Sequence, residues 1–148
     1  MSQLAERLAD DMKAALRDKD KFTLSVIRML RSEIQYAEKE SNSALKDSQV
    51  LDILGRELKK RKEALAENQR FGREQAAVAL AQELEIIACY LPVPLTKEEL
   101  RTLVAETIQE TQAATKADFG KVMATLMPKT KGRAEGSEVS ALVKEFLN

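Results

Sequence analysis

Leu91-Pro92-Val93-Pro94-Leu95 decides how this chain is read. Each proline removes a backbone donor and pushes the residue before it away from helical angles, so no helix passes through the segment. On both sides of it, apolar residues recur at three- and four-residue spacing. The boundary predicts an all-α protein in two parts: residues 1–93 as an N-terminal helical domain of about four helices, and residues 94–148 as a small C-terminal domain of three.

Upstream of the boundary, Ser2 is placed to cap a helix carrying Leu4, Leu8, Met12 and Leu16 on one face. A second apolar stripe runs through Phe22, Val26, Met29, Leu30 and Ile34, within a helix expected from about Phe22 to Lys39. Ser48 is the expected cap of a third helix with Val50, Leu51, Leu54, Leu58 and Leu65, interrupted in propensity by Gly55. After a turn at Phe71-Gly72, Ala76, Leu80, Leu84, Ile87 and Leu91 form a fourth face. Four amphipathic helices can share one core.

Downstream, Thr96 and Glu99 match a capping box that opens a helix with Leu100, Leu103, Val104 and Ile108. Asp118 is expected to cap a short helix containing Val122, Met123 and Leu126, and Pro128 to prevent its simple continuation. Ser137 is expected to cap a last helix with Leu142, Val143, Phe146 and Leu147 facing inward. No segment alternates as a β-strand does.

Composition narrows the chemistry. The 148 residues carry 24 Lys plus Arg against 24 Asp plus Glu, so any attraction to nucleic acid or a membrane must be local. With no histidine, the commonest acid/base group and metal ligand is missing, and neither a metal nor a cofactor is expected. Cys89, the one cysteine, cannot form an internal disulfide and is expected to pack as an apolar residue; a single thiol suits the cytoplasm. No run approaches the length of a membrane span, and the first residues lack the apolar centre of a signal peptide.

Two stretches concentrate cations. Arg56-Glu57-Leu58-Lys59-Lys60-Arg61-Lys62 reads as a solvated helical flank or as a contact for RNA or an acidic protein. Lys129-Thr130-Lys131-Gly132-Arg133-Ala134-Glu135-Gly136 sets cations on a glycine-punctuated connection before a helix start, where a phosphate is well received. With Lys121, the residues Lys129, Lys131 and Arg133 form the candidate nucleic-acid contact, and Gly132 and Gly136 are expected to shape the backbone around it. The spacing is neither a Walker motif nor a dinucleotide fingerprint. Glu83 and Glu85 project in different directions on a helix and make no paired-carboxylate site; ion pairs with Arg70 or Arg73 are expected instead. Tyr90 is placed to seal the joint between the helical parts, its hydroxyl satisfying a backbone group.

Four segments, in order, carry a resemblance over essentially the whole chain: Leu24-Ser25-Val26-Ile27-Arg28-Met29-Leu30, Tyr90-Leu91-Pro92, Gly120-Lys121-Val122-Met123, and Gly132-Arg133-Ala134-Glu135-Gly136. Together they resemble the YqeY-like family, which is related to the C-terminal tail of the B subunit of the glutamine-dependent aminoacyl-tRNA amidotransferase. The resemblance implies a larger N-terminal and a smaller C-terminal helical part, and an accessory module that engages tRNA or another structured RNA. It implies no autonomous catalysis: carbon-nitrogen ligase activity attaches to the family only through the amidotransferase, whose reaction sites lie in other domains. It also implies a backbone-shaping role for Gly120 and structural roles for Arg28 and Tyr90, beside the structural role that Pro92 has at the boundary. Glu135 stands where similar sequences usually have aspartate. The alternative function is a protein-interaction adaptor with a translation-related partner, using the charged Arg56–Lys62 face or the apolar surroundings of Tyr90.

Overall fold

The structure is a computed structural model that describes residues 2–147. Among the described residues there are seven α-helices, one 3-10 turn and no strand. The chain divides into two compact units, one ending at Leu91 and the other beginning at Pro92. No helix among them is long and apolar enough to cross a membrane.

The N-terminal unit holds α1 (Gln3–Arg17), α2 (Lys21–Ser41), α3 (Asp47–Arg70) and α4 (Glu74–Ala88). Ser2 caps α1 as its sequence suggests, accepting from the Ala5 N–H at 2.9 Å. A strict four-residue spacing advances 40° per step on a helix, so the Leu4-Leu8-Met12-Leu16 row drifts off the core. Leu8 is fully buried, but Leu16 is 49% exposed and Ala15 takes the inward place. In α2 the same effect leaves Phe22 exposed and brings in Ile27, which joins Val26, Leu30 and Ile34.

The start of α3 differs from expectation. Its cap is Lys46, whose N–H is received by the Gln49 side chain, and Ser48 lies inside the helix. Asp47 turns its carboxylate away to accept the Leu4 N–H of α1 at 3.1 Å. Val50, Ile53 and Leu54 of α3 then meet Leu8, the α2 residues, Ile87 and Tyr90 in one core cluster. In α4, Ala77 is buried and Ala76 exposed, one position off the predicted face, and the helix ends before Leu91.

The C-terminal unit holds α5 (Lys97–Thr111), the 3-10 turn Lys116–Asp118, α6 (Phe119–Thr130) and α7 (Gly136–Phe146). Its core has a simple construction. Leu100 and Val104, Val122 and Leu126, and Val139 and Val143 are four-residue-spaced pairs from three helices, each residue no more than 1% exposed, with Leu147 beside them. The capping box forms in full: Glu99 N–H donates to Thr96 Oγ1 at 3.1 Å and Thr96 N–H to Glu99 Oε1 at 3.2 Å.

Three local expectations are corrected here. Pro128 does not stop α6, because only its own missing N–H is lost so close to the end, and Lys131 N–H still reaches the Met127 carbonyl at 3.0 Å. The Asp118 carboxylate makes no cap bond to α6; it accepts from the preceding Ala114 and Thr115 N–H groups at 2.8 and 3.2 Å. The α7 cap is Glu135, and Ser137 lies within the first turn.

Gly55 sits in the interior of α3 with no heavy atom within 4 Å of where a Cβ would stand. Gly55→Ala therefore raises stability by roughly 0.5–1 kcal/mol through backbone entropy. Urea unfolding followed by far-UV circular dichroism reads this directly, and a lowered midpoint would contradict the geometry.

Candidate nucleic-acid interface

The C-terminal cations have definite local positions. Lys121 is exposed near the start of α6, and Lys129 near its end, eight residues or about 12 Å further along the axis. Lys121 contributes to holding the Asp118 carboxyl below its ordinary range, after the two backbone N–H groups that are the main cause. Lys129 Nζ pairs with Glu110 Oε2 of α5 at 2.8 Å. Lys131 is exposed just beyond α6.

Arg133 is half-buried, and its backbone and side chain both hold the chain that enters this unit. Its Nε–H donates to the Val93 carbonyl at 2.8 Å, while its own carbonyl accepts the Leu95 N–H at 2.9 Å. Sequence reasoning assigned Arg133 only to a phosphate and missed this second use. Val93 and Pro92 are themselves exposed.

Of the three glycines, Gly132 alone adopts a positive φ, +76°, in the turn where Arg133 and Ala134 N–H groups both reach the Thr130 carbonyl. That conformation favours glycine. Gly120 is an ordinary helical residue with open space around a notional Cβ, and at Gly136 the nearest such contact is Met127 Cε at 3.8 Å. The start of α7 carries Glu135 at the cap and Glu138 in the first turn, so acidic side chains already complement its dipole. A groove elsewhere on the unit is lined by Lys116, Phe119, Lys144 and Glu145, with Lys144 Nζ 5.6 Å from the Phe119 ring centre.

In the N-terminal unit the basic stretch of α3 separates into two faces. Arg56, Lys59, Lys60 and Lys62 are exposed, whereas Arg61 turns inward. Arg61 Nη1 meets Glu57 Oε2 at 2.7 Å, its Nε lies 3.5 Å from Glu83 Oε2 of α4, and Nη2 reaches Met29 Sδ of α2 at 3.6 Å. Glu83 thus pairs with Arg61, not with Arg70 or Arg73. Burial pushes the Glu57 carboxyl up, but the Arg61 hydrogen bond and the charges of Lys60 and Arg61 outweigh it and hold the group below its ordinary value.

At the α3–α4 turn, Phe71 is 61% exposed with guanidinium carbons of Arg70 and Arg73 at 5.5 and 5.4 Å from its ring centre. No feature of the sequence marked this phenylalanine as more than a turn residue.

Tyr90 is 6% exposed and its hydroxyl donates to Asp11 of α1, a carboxylate in place of the backbone group expected from the sequence. Arg7 lies 4.6 Å over the Tyr90 ring and donates to the Cys89 carbonyl at 3.0 Å. Burial first, and then the Asp11 bond and charge, raise the Tyr90 phenol far above its ordinary value. Cys89 is exposed at the end of α4, contrary to the expectation of a packed thiol. Arg28 is exposed on α2 and makes no hydrogen bond or ion pair among the described residues. No group of three or more His, Cys, Asp or Glu among the described residues could hold a metal ion.

An all-helical chain in two units, with cations on helix flanks and connections, is the class of protein these features define. The chain belongs to the Yqey-like protein family, which it matches over residues 5–147. It is similar to altered inheritance of mitochondria protein 41, mitochondrial, of Pyrenophora tritici-repentis, at 30% identity over 144 residues, 95% of this chain and 79% of that protein. It is also similar to an uncharacterized protein of Schizosaccharomyces pombe, at 32% identity over 89 residues, 60% of this chain and 69% of that protein.

Two variants test the polar contacts. Arg61→Leu leaves the buried Glu57 carboxylate with only the exposed Lys60 ammonium at 3.4 Å and costs about 3 kcal/mol, measured by urea unfolding; a change below 1 kcal/mol would mean that the pair is not buried in solution. Folding raises the Tyr90 phenol, so its contribution is complete below the unfolded value of 10.0 and declines as pH rises above it. Tyr90→Phe should be less stable at neutral pH by about 1–3 kcal/mol and lose less stability between pH 9 and 11 than the parent protein. Parallel alkaline curves would show that the phenol is not raised.

Proposed function

We propose that this protein is an accessory RNA-binding module of the cytoplasm, with tRNA as its partner and no catalysis of its own. The observation that carries the reading is the placement of Lys129, Lys131 and Arg133 within five consecutive positions at the end of α6, with Lys121 on the same helix. Lys129 and Glu110 are both exposed, so their pair is worth at most about 1 kcal/mol and a phosphate can displace the carboxylate. Arg133 commits Nε to Val93 and has its two Nη groups for an anion. Such contacts grip the RNA backbone and read little sequence. The resemblance to the amidotransferase tail supports tRNA as the partner.

A protein adaptor in translation is the second reading. Its apolar half is weakened by the burial of Tyr90, and the exposed α3 flank from Arg56 to Lys62 is what favours it. A stoichiometric partner retained after nuclease treatment would support that reading over the first.

Titration of intact protein with tRNA across a salt series tests RNA binding. Saturable binding whose logarithm falls linearly with the logarithm of salt concentration is expected. The variant Lys129→Gln with Lys131→Gln spares the Arg133 contacts and should reduce the slope by roughly 1.5–2 and weaken all tRNAs alike. Absence of saturable binding at low salt overturns the proposal, and an unchanged slope in the double variant removes this segment from the contact.

A further inference from the structure

Phe71 is a large apolar side chain left 61% exposed at the tip of the α3–α4 hairpin, and it belongs to neither core cluster. Its position is fixed. Phe71 N–H donates to the Glu67 carbonyl at 3.1 Å, Gly72 N–H to Gln69 at 3.2 Å and Arg73 N–H to Asn68 at 2.9 Å, while Gly72 turns the chain at φ +70°. The ring is therefore presented by a closed turn.

Its neighbours define what it can receive. Arg70 and Arg73 place guanidinium groups 5.4–5.5 Å from the ring centre. Among the described residues, neither they nor Lys59 and Lys62 of α3 have a carboxylate within salt-bridge distance, unlike Lys129 with Glu110 or Arg101 with Glu145. Between Arg56 and Glu74, six exposed cations face three exposed carboxylates, Glu63, Glu67 and Glu74, in a chain whose total charge is zero. An exposed ring accepts any base face, and adjacent cations take the phosphates on either side.

We propose that the α3–α4 tip is a stacking site for an unpaired RNA base, with Phe71 as the platform and Arg70 and Arg73 receiving the flanking phosphates. This rests on the RNA-binding reading above but uses a different surface from the C-terminal cations. The excess of uncommitted cations favours RNA over a protein partner, for which an exposed aromatic between arginines would also serve.

The chain has no tryptophan, so Phe71→Trp creates a single reporter at the tip. Intact protein is titrated with a mixed-sequence single-stranded 12-nucleotide RNA and with the corresponding perfect duplex, binding being followed by the anisotropy of a dye on the RNA. The single strand should quench the tryptophan saturably, in step with anisotropy, and the duplex should not. Phe71→Ala should lose roughly tenfold in single-strand affinity with an unchanged salt slope, because stacking and not charge is removed. The ring is outside both cores, and an unchanged thermal melt verifies that the variant is folded.

Binding by anisotropy without tryptophan quenching, or with Phe71→Ala equal to the parent protein, overturns the stacking site and leaves the RNA-binding reading standing. Failure of the parent protein to bind tRNA or either oligonucleotide overturns both. Loss of a nuclease-resistant protein partner on Phe71→Ala, with RNA affinity unchanged, assigns the tip to protein recognition and overturns the proposal.

Discussion

Arg61 is the charge around which the N-terminal unit is organised. It has carboxylates from its own helix and from α4 within 3.5 Å and a thioether of α2 at 3.6 Å, so one side chain touches three helices. Rotation of α3 by even one residue step, 100°, would carry Arg61 and Glu57 together away from Glu83 and Met29 and break the contacts to α4 and α2. This fixes which flank of α3 meets solvent. The exposure of Arg56, Lys59, Lys60 and Lys62, and the direction in which Phe71 leaves the helix, follow from that orientation.

The C-terminal unit reaches definition by another route. Three helices each offer a pair of buried aliphatic residues one turn apart, and with Leu147 they close a core that, among the described residues, contains no buried ion pair. A core of that size gains little beyond the entropy it must offset, so the chain entering it matters. Arg133 fastens that entrance through Val93 and Leu95. An arginine whose Nε holds the incoming chain while its outer nitrogens are left for an anion has two uses that one substitution cannot separate.

Much of the architecture was legible because it depends on short-range periodicity. The double proline, the Thr96–Glu99 box and the apolar rows place seven helices in two groups without any knowledge of tertiary contacts. What was not legible depends on residues far apart in sequence. Ser48 reads as the cap of α3, and nothing local shows that Lys46 takes that place while the Asp47 carboxylate goes to Leu4; Arg61 is likewise indistinguishable from its basic neighbours until Glu83 arrives from α4. Drift of the four-residue rows explains the exchange of Leu16 for Ala15. In the candidate site, the cationic segment could be found by inspection, but the commitment of Lys129 to Glu110 and of Arg133 to Val93 could not. Phe71 was visible only as a turn residue, because exposure of a phenylalanine is set by what fails to pack on it.

The hydrogen bond from Leu4 to Asp47 joins the first turn of α1 to the first residue of α3, 43 positions away. First-turn amides of a helix have no intrahelical acceptor and ordinarily exchange with solvent freely. Here that proton is held by a different helix. Its deuterium uptake therefore clocks the opening of the α1–α3 contact and not the fraying of α1, making a single amide near the beginning of the chain a local gauge of tertiary closure.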